Sequence, residues 1–161
     1  MSETSRILSE GLAAGYAGGT ERQTVQRGPF TLESTSFTTP DGGEHSDEWI
    51  ADMTGGGQEI ARINGETTTR LHAGGTFPLE TLKRLGLAKK DVIGFLKRSI
   101  LASEGKTRLG SDYAPDAQGD WQYSYRILDR EDEIGLTAGK EVITYKGEKV
   151  FVHDLLNSPV K

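Results

Sequence analysis

The sequence predicts an α+β protein built from two pseudo-repeated helix-plus-antiparallel-strand units sharing one core. Three observations carry that reading. The line GQEIARINGETT at residues 57–68 returns as GKEVITYKGEKV at residues 139–150. Amphipathic helical spacing occurs ahead of each copy. Turn residues punctuate the rest, with 21 glycines in 161 residues. A chain of this length forms one domain with its own core. The domain is expected to cover residues 1–161, with half-repeats of about 5–75 and 76–154.

The elements follow in order. Ser5 is placed to cap a first helix, with Ile7, Leu8 and Leu12 on one face and Gly15, Gly18 and Gly19 ending it. Thr24–Gln26, Phe30–Leu32 and Ser36–Thr38 favour strands, interrupted at Gly28-Pro29. Pro40-Asp41-Gly42-Gly43 is a turn. Glu48–Met53 alternates as a strand, and Gly55-Gly56-Gly57 is expected to break it. Asn64-Gly65 then turns a hairpin, because both turn positions favour positive φ. Leu79–Leu85 gives a short helix stopped at Gly86. Val92, Phe95, Leu96 and Ile100 mark an amphipathic helix with Asp91 in its first turn. Trp121–Ile127 alternates cleanly, Asp129–Glu133 reads as an acidic turn, and a second hairpin folds around Lys146-Gly147. The tail from Leu155 to Lys161 is expected to be loosely held.

The two hairpins align without a gap. Gly57 matches Gly139, Glu59 matches Glu141, Gly65 matches Gly147 and Glu66 matches Glu148. A single half-unit would leave a sheet face uncovered, and two can bury those faces together. Shared turn chemistry alone is the competing explanation.

Composition excludes several function classes. With no cysteine, disulfides and thiolate metal sites are ruled out. The net charge is −5 with acids and bases interleaved, and Lys89-Lys90 and Lys97-Arg98 are too short for a nucleic-acid face. No apolar stretch reaches bilayer length, so no membrane partner is expected. The polar, acid-bearing start lacks a signal-peptide pattern, and a cytoplasmic location is expected.

Chemistry-bearing residues are few. Thr-Arg-Leu occurs twice, at 69–71 and 107–109, so Arg70 and Arg108 are candidates to converge on one anion, with His72 on the same strand face as Arg70. Against this stands the ordinary case of exposed arginines paired with Glu66 or Asp112. Glu59 and Glu141 are the matched acids, read as acceptors of backbone or Arg hydrogen bonds ahead of an acid–base pair. Trp121, Tyr123 and Tyr125 share a strand face and either line a ligand pocket or join the core. His45, His72 and His153 lack metal-ligand spacing, so neither metal nor cofactor is expected. Gly55-Gly56-Gly57 lacks the helix and lysine of a phosphate loop.

Tyr16-Ala17-Gly18-Gly19, the Gly-x-Glu-Ile hairpin, Phe95-Leu96, Gly119-Asp120-Trp121-Gln122-Tyr123 and the closing Gly139–Val150 hairpin together resemble a bacterial domain family of unknown function. Its members occur alone or behind a helix-turn-helix segment. The likeness spans about Ile7 to His153 and rests mainly on structural glycines and aromatics. Where that family carries an aromatic-rich stretch with an Asn-Tyr pair, this chain has Thr69-Arg70-Leu71-His72-Ala73-Gly74-Gly75. The resemblance implies no activity and assigns no catalytic residue.

The expected function is a non-catalytic module binding a small molecule or a protein, with Arg70, His72, Arg108, Trp121 and Tyr123 as ligand contacts. A small hydrolase or isomerase with an anion-binding cleft is the alternative. A small-molecule ligand and a homodimer both stay open as partners, the latter through free strand edges.

Overall fold

A computed structural model describes residues 1–161. One eight-stranded antiparallel sheet carries three helices on one face, which is the α+β class the sequence predicts. The elements are α1 (Glu3–Leu12), β1 (Gln23–Arg27), β2 (Phe30–Thr38), β3 (Glu44–Ala51), β4 (Thr54–Ile63), β5 (Glu66–Thr76), α2 (Leu79–Arg84), α3 (Lys89–Ala102), β6 (Trp121–Glu131), β7 (Leu136–Tyr145) and β8 (Glu148–Val160). The strand order is β1-β2-β3-β4-β5-β8-β7-β6. The second strands of the two hairpins therefore meet at the middle, Arg70 opposite Asn157 and Gly74 opposite His153. Asn64 and Lys146 adopt φ of 52° and 50°, and Gly65 and Gly147 follow at 82° and 80°.

The core lies between sheet and helices. α3 places Val92, Phe95, Leu96 and Ile100 against Tyr123, Tyr125, Ile143, Phe151 and Leu155 of β6–β8. α1 places Ile7 and Leu8 against Ala61 and Ile63 of β4. Burial of such side chains is the main stabilising contribution, roughly 1.5–3 kcal/mol each. Apolar contact alone does not fill this interface, as the buried charges below show.

Several expectations are corrected. Ser2, not Ser5, caps α1, its hydroxyl accepting the Ser5 N–H at 3.1 Å. The helix runs past Gly15 and ends at Gly18, so of the three glycines expected to stop it only the later two do. A π-helical turn, Ala13–Ala17, extends it and carries Tyr16 toward the sheet. Gly55-Gly56-Gly57 does not break the chain but lies within β4, paired with Gly74, Ala73 and His72 of β5. A Cβ on Gly55 would stand 2.1 Å from the Ile50 carbonyl oxygen, so the bare backbone allows a close strand approach there. β3 begins at Glu44, and β6 runs on to Glu131 through the expected acidic turn. The tail is not loose. β8 extends to Val160, held by pairing to β5 and by buried Leu155. Asp91 does serve the first turn of α3, accepting the Ala88 N–H at 2.7 Å.

Candidate functional site: a cavity floored by buried charges

Alternation along the strands turns an unusual set of polar side chains inward. Glu59 on β4 faces Arg70 on β5 across the ladder, and Asp47 on β3 faces Glu59 from the other side. Arg70 grips Glu59 through Nε at 2.8 Å and Nη2 at 2.5 Å, and His45 Nε2 lies 3.0 Å from the same carboxylate. The second hairpin repeats the chemistry with a different donor. Glu141 accepts from Arg108 Nε at 2.9 Å and Nη2 at 2.6 Å and from the Tyr123 hydroxyl at 2.5 Å, while His153 Nδ1 stands 3.6 Å away. Arg70 and Glu59 are fully buried, as is Glu141, and Arg108 nearly so. Each bidentate pair offsets a desolvation cost that neither partner could bear alone.

The two pairs are tied together. Arg70 Nη1 donates to the Arg108 carbonyl at 3.2 Å, and Asn157 Nδ2 donates to it at 3.3 Å. Arg108 is held at φ 64°, which costs a non-glycine residue free energy and persists only where surroundings impose it. Here those two donors fix its carbonyl inward.

Beside this floor opens a cavity of about 180 Å³. Tyr16, Trp49, Met53, Ile93 and Phe151 form its apolar side, and Asp47, His72, Arg108 and His153 its polar side. The bare edges of Gly55, Gly56, Gly74 and Gly75 complete the wall. Tyr16 meets Trp49 edge-on at 6.0 Å, and Arg22 lies over the Trp49 ring at 5.4 Å. His72 Nε2 faces Asp47 Oδ1 at 3.2 Å, and the His72 and His153 rings stand 5.5 Å apart.

The electrostatics follow from burial against pairing. Burial pushes the Glu59 carboxyl up, but the Arg70 charge and the bonds from His45 and Arg70 outweigh it and hold it well below the usual carboxylate range. Glu141 is likewise held well below by Arg108, with help from His153, against its own burial. Asp47 goes the other way. Burial raises its carboxyl, and Glu59 adds to this, although His72 and His45 oppose the shift. Burial lowers His153 and favours its neutral form, reinforced by Arg108 and His72 against Glu141. Tyr123 is raised well above its ordinary value by burial and by Glu141.

The residues expected from sequence are distributed unevenly. Arg70 and Arg108 do approach one another, yet neither is exposed and neither pairs with Glu66 or Asp112. Each is bound to its own glutamate, so Arg70 has no face left for an anion. Arg108 and His72 line the cavity. Trp121 stacks on Phe95 at 4.8 Å and against Tyr145 at 4.7 Å, and Tyr123 lies in the core beneath α3, so neither lines the cavity. Glu59 and Glu141 are indeed Arg acceptors. Asp47, His153, Tyr16 and Trp49 were not singled out as a set. Their only sequence signal is strand alternation, which places Asp47 and Trp49 on one face but cannot bring β3 to β8. Asp47, Glu59 and His72 offer donor atoms within 4.8 Å of one another, but Arg70 and His45 occupy Glu59, leaving two free ligands for a metal.

No helix is long and apolar enough to cross a membrane. No protein-family model matches the chain, and neither a curated protein nor a solved structure matches it significantly.

Proposed function

We propose that this protein is a non-catalytic binding module that takes a compact small molecule in the cavity between α3, the π-helical turn and the β3–β5–β8 face. One observation supports this above the rest: an amphipathic cavity of about 180 Å³ whose polar side, Asp47, His72, Arg108 and His153, stands beside two buried Arg–Glu pairs. An apolar cavity of about 150 Å³ takes up a benzene ring, so this one suits roughly a single ring with a polar head. Arg108 and His72 are the ligand contacts kept from the sequence reading, joined by Asp47 and His153. A thermal-shift screen of metabolites tests it. Binding raises the melting temperature in the wild type, and Ile93→Trp, which fills the cavity from α3, abolishes the shift. A ligand that shifts both proteins equally does not sit there.

A hydrolase or isomerase is the second reading, supported by His153. Its Nδ1 stands 3.6 Å from the Glu141 carboxylate, its neutral form is favoured, and its ring lines the cavity, a placement open to a general base. Turnover of a screened ligand that is lost in His153→Gln would carry it.

The hairpins read as copies of one ancestral unit. Matched turn dihedrals, matched glutamates with an arginine and a histidine each, and the central β5–β8 pairing support this. Copying does not extend to the arginines, since one sits on β5 and the other follows α3. A homodimer would use the uncovered sheet face, where Ile60, Leu71 and Leu156 are exposed.

A further inference from the structure

We propose that the cavity selects a neutral ligand: a single flat ring bearing a carboxamide-like group, whose carbonyl oxygen meets Arg108 and whose N–H meets Asp47. This deepens the small-molecule reading above and rests on it.

The first support is a count of uncommitted atoms. Arg108 spends Nε and Nη2 on Glu141, while its Nη1 has no acceptor in the protein and is not sealed from solvent. Asp47 spends Oδ1 on His72, while its second oxygen has no donor and is likewise unsealed. Both residues line the cavity. The wall thus presents a fixed donor and a fixed acceptor, each on a residue more than nine-tenths buried. The strained backbone of Arg108 is a second, independent sign that its position is imposed.

The second support is charge balance. Arg108 is neutralised by Glu141, Lys89 pairs with Asp52 at 3.1 Å, and Arg22 lies 3.5 Å from Glu33. Among the cavity's carboxylates, Asp47 alone has no lysine or arginine in reach. Its neighbour is an imidazole. An entering carboxylate would meet an unpaired acid and a guanidinium whose charge is already answered. An entering amidinium would suit Asp47 but, having only donors, would offer Arg108 Nη1 no acceptor. A neutral amide satisfies both edges and adds no charge of its own to the site. The walls favour a flat body, since Tyr16, Trp49 and Phe151 line them and the strands next to Trp49 and Phe151 carry bare glycine backbone.

Three probes of one shape separate the cases: benzamide, benzoate and benzamidine, titrated at millimolar concentration by calorimetry against wild type and Asp47→Asn. Benzamide should bind wild type at least about tenfold more tightly than either charged probe. Asp47→Asn keeps the size and removes the charge, so the preference over benzoate should shrink to within about threefold. Tightest binding of benzoate or benzamidine to wild type, or an unchanged ratio in Asp47→Asn, overturns this inference and leaves the small-molecule reading intact. The wild-type ranking decides alone if Asp47→Asn fails to fold. If no probe binds while the metabolite screen finds a cavity ligand, the neutral-amide chemistry is wrong. If neither yields binding, the small-molecule reading falls as well.

Discussion

Glu141 shows at the scale of one residue what the fold tolerates and why. Its carboxylate is stripped of water and answered by Arg108, Tyr123 and His153. Glu141→Gln leaves the Arg108 charge buried without a counter-charge and is expected to cost about 3–5 kcal/mol in a urea titration. Removing both members with apolar residues of like volume should cost much less, because the penalty lies in the orphaned charge. The pH dependence has a definite sign. The folded Glu59 and Glu141 carboxyls sit below the reference 4.5, so their contribution is full above that pH and is lost as pH falls through the folded values. His153 sits below its reference 6.5, so its contribution is full above 6.5 and is lost as pH falls from there. Asp47, raised above 3.8, works in the opposite sense, stabilising most below 3.8 and losing this as pH rises through its folded value. Chemical denaturation of His153→Gln between about pH 7 and pH 5 should show a flatter slope than wild type. An unchanged slope would mean that His153 titrates alike folded and unfolded.

Single elements show how closely α1 is fitted to the sheet. An added Cβ at Gly11 would stand 2.1 Å from the His45 ring, and that ring cannot swing away without leaving Glu59. Gly11→Ala should therefore destabilise by about 1–3 kcal/mol despite its better helix propensity, as read by thermal unfolding. The end of β8 gives a second test. Truncation after Asp154 removes buried Leu155 and unpairs β5 from Thr67 to His72, and it should abolish cooperative unfolding. The sequence made α2, α3 and the Asn64-Gly65 and Lys146-Gly147 hairpins legible, because capping, helical spacing and turn dihedrals are local. It misread the glycine run at 55–57 and the tail. Glycine signals a break unless a neighbouring strand needs the space its missing Cβ leaves. The tail reads as polar until β5 supplies a partner from far along the chain. The candidate site was legible only in part for the same reason. Arg70 and Arg108 stood out as a repeated tripeptide, but their pairing with Glu59 and Glu141 depends on strand register. Asp47 and His153 join them only across three intervening strand contacts.

For the whole molecule, a single sheet packed by helices on one face places apolar clusters under α3 and α1 and a cavity beside its buried charges. The cavity lies between the π-helical turn, α3 and the sheet, and the glycine edges of β4 and β5 keep side chains out of it. The opposite sheet face carries exposed Ile60, Leu71 and Leu156 and no covering element. The central claim is that ligand enters on the helix side. The most direct measurement is a two-dimensional 15N NMR titration of the protein with a hit from the metabolite screen. The account predicts amide shifts concentrated at Gly55, Gly56, Gly74, Gly75 and His153. Shifts centred on Ile60, Leu71 and Leu156 would contradict it by placing the ligand on the outer face.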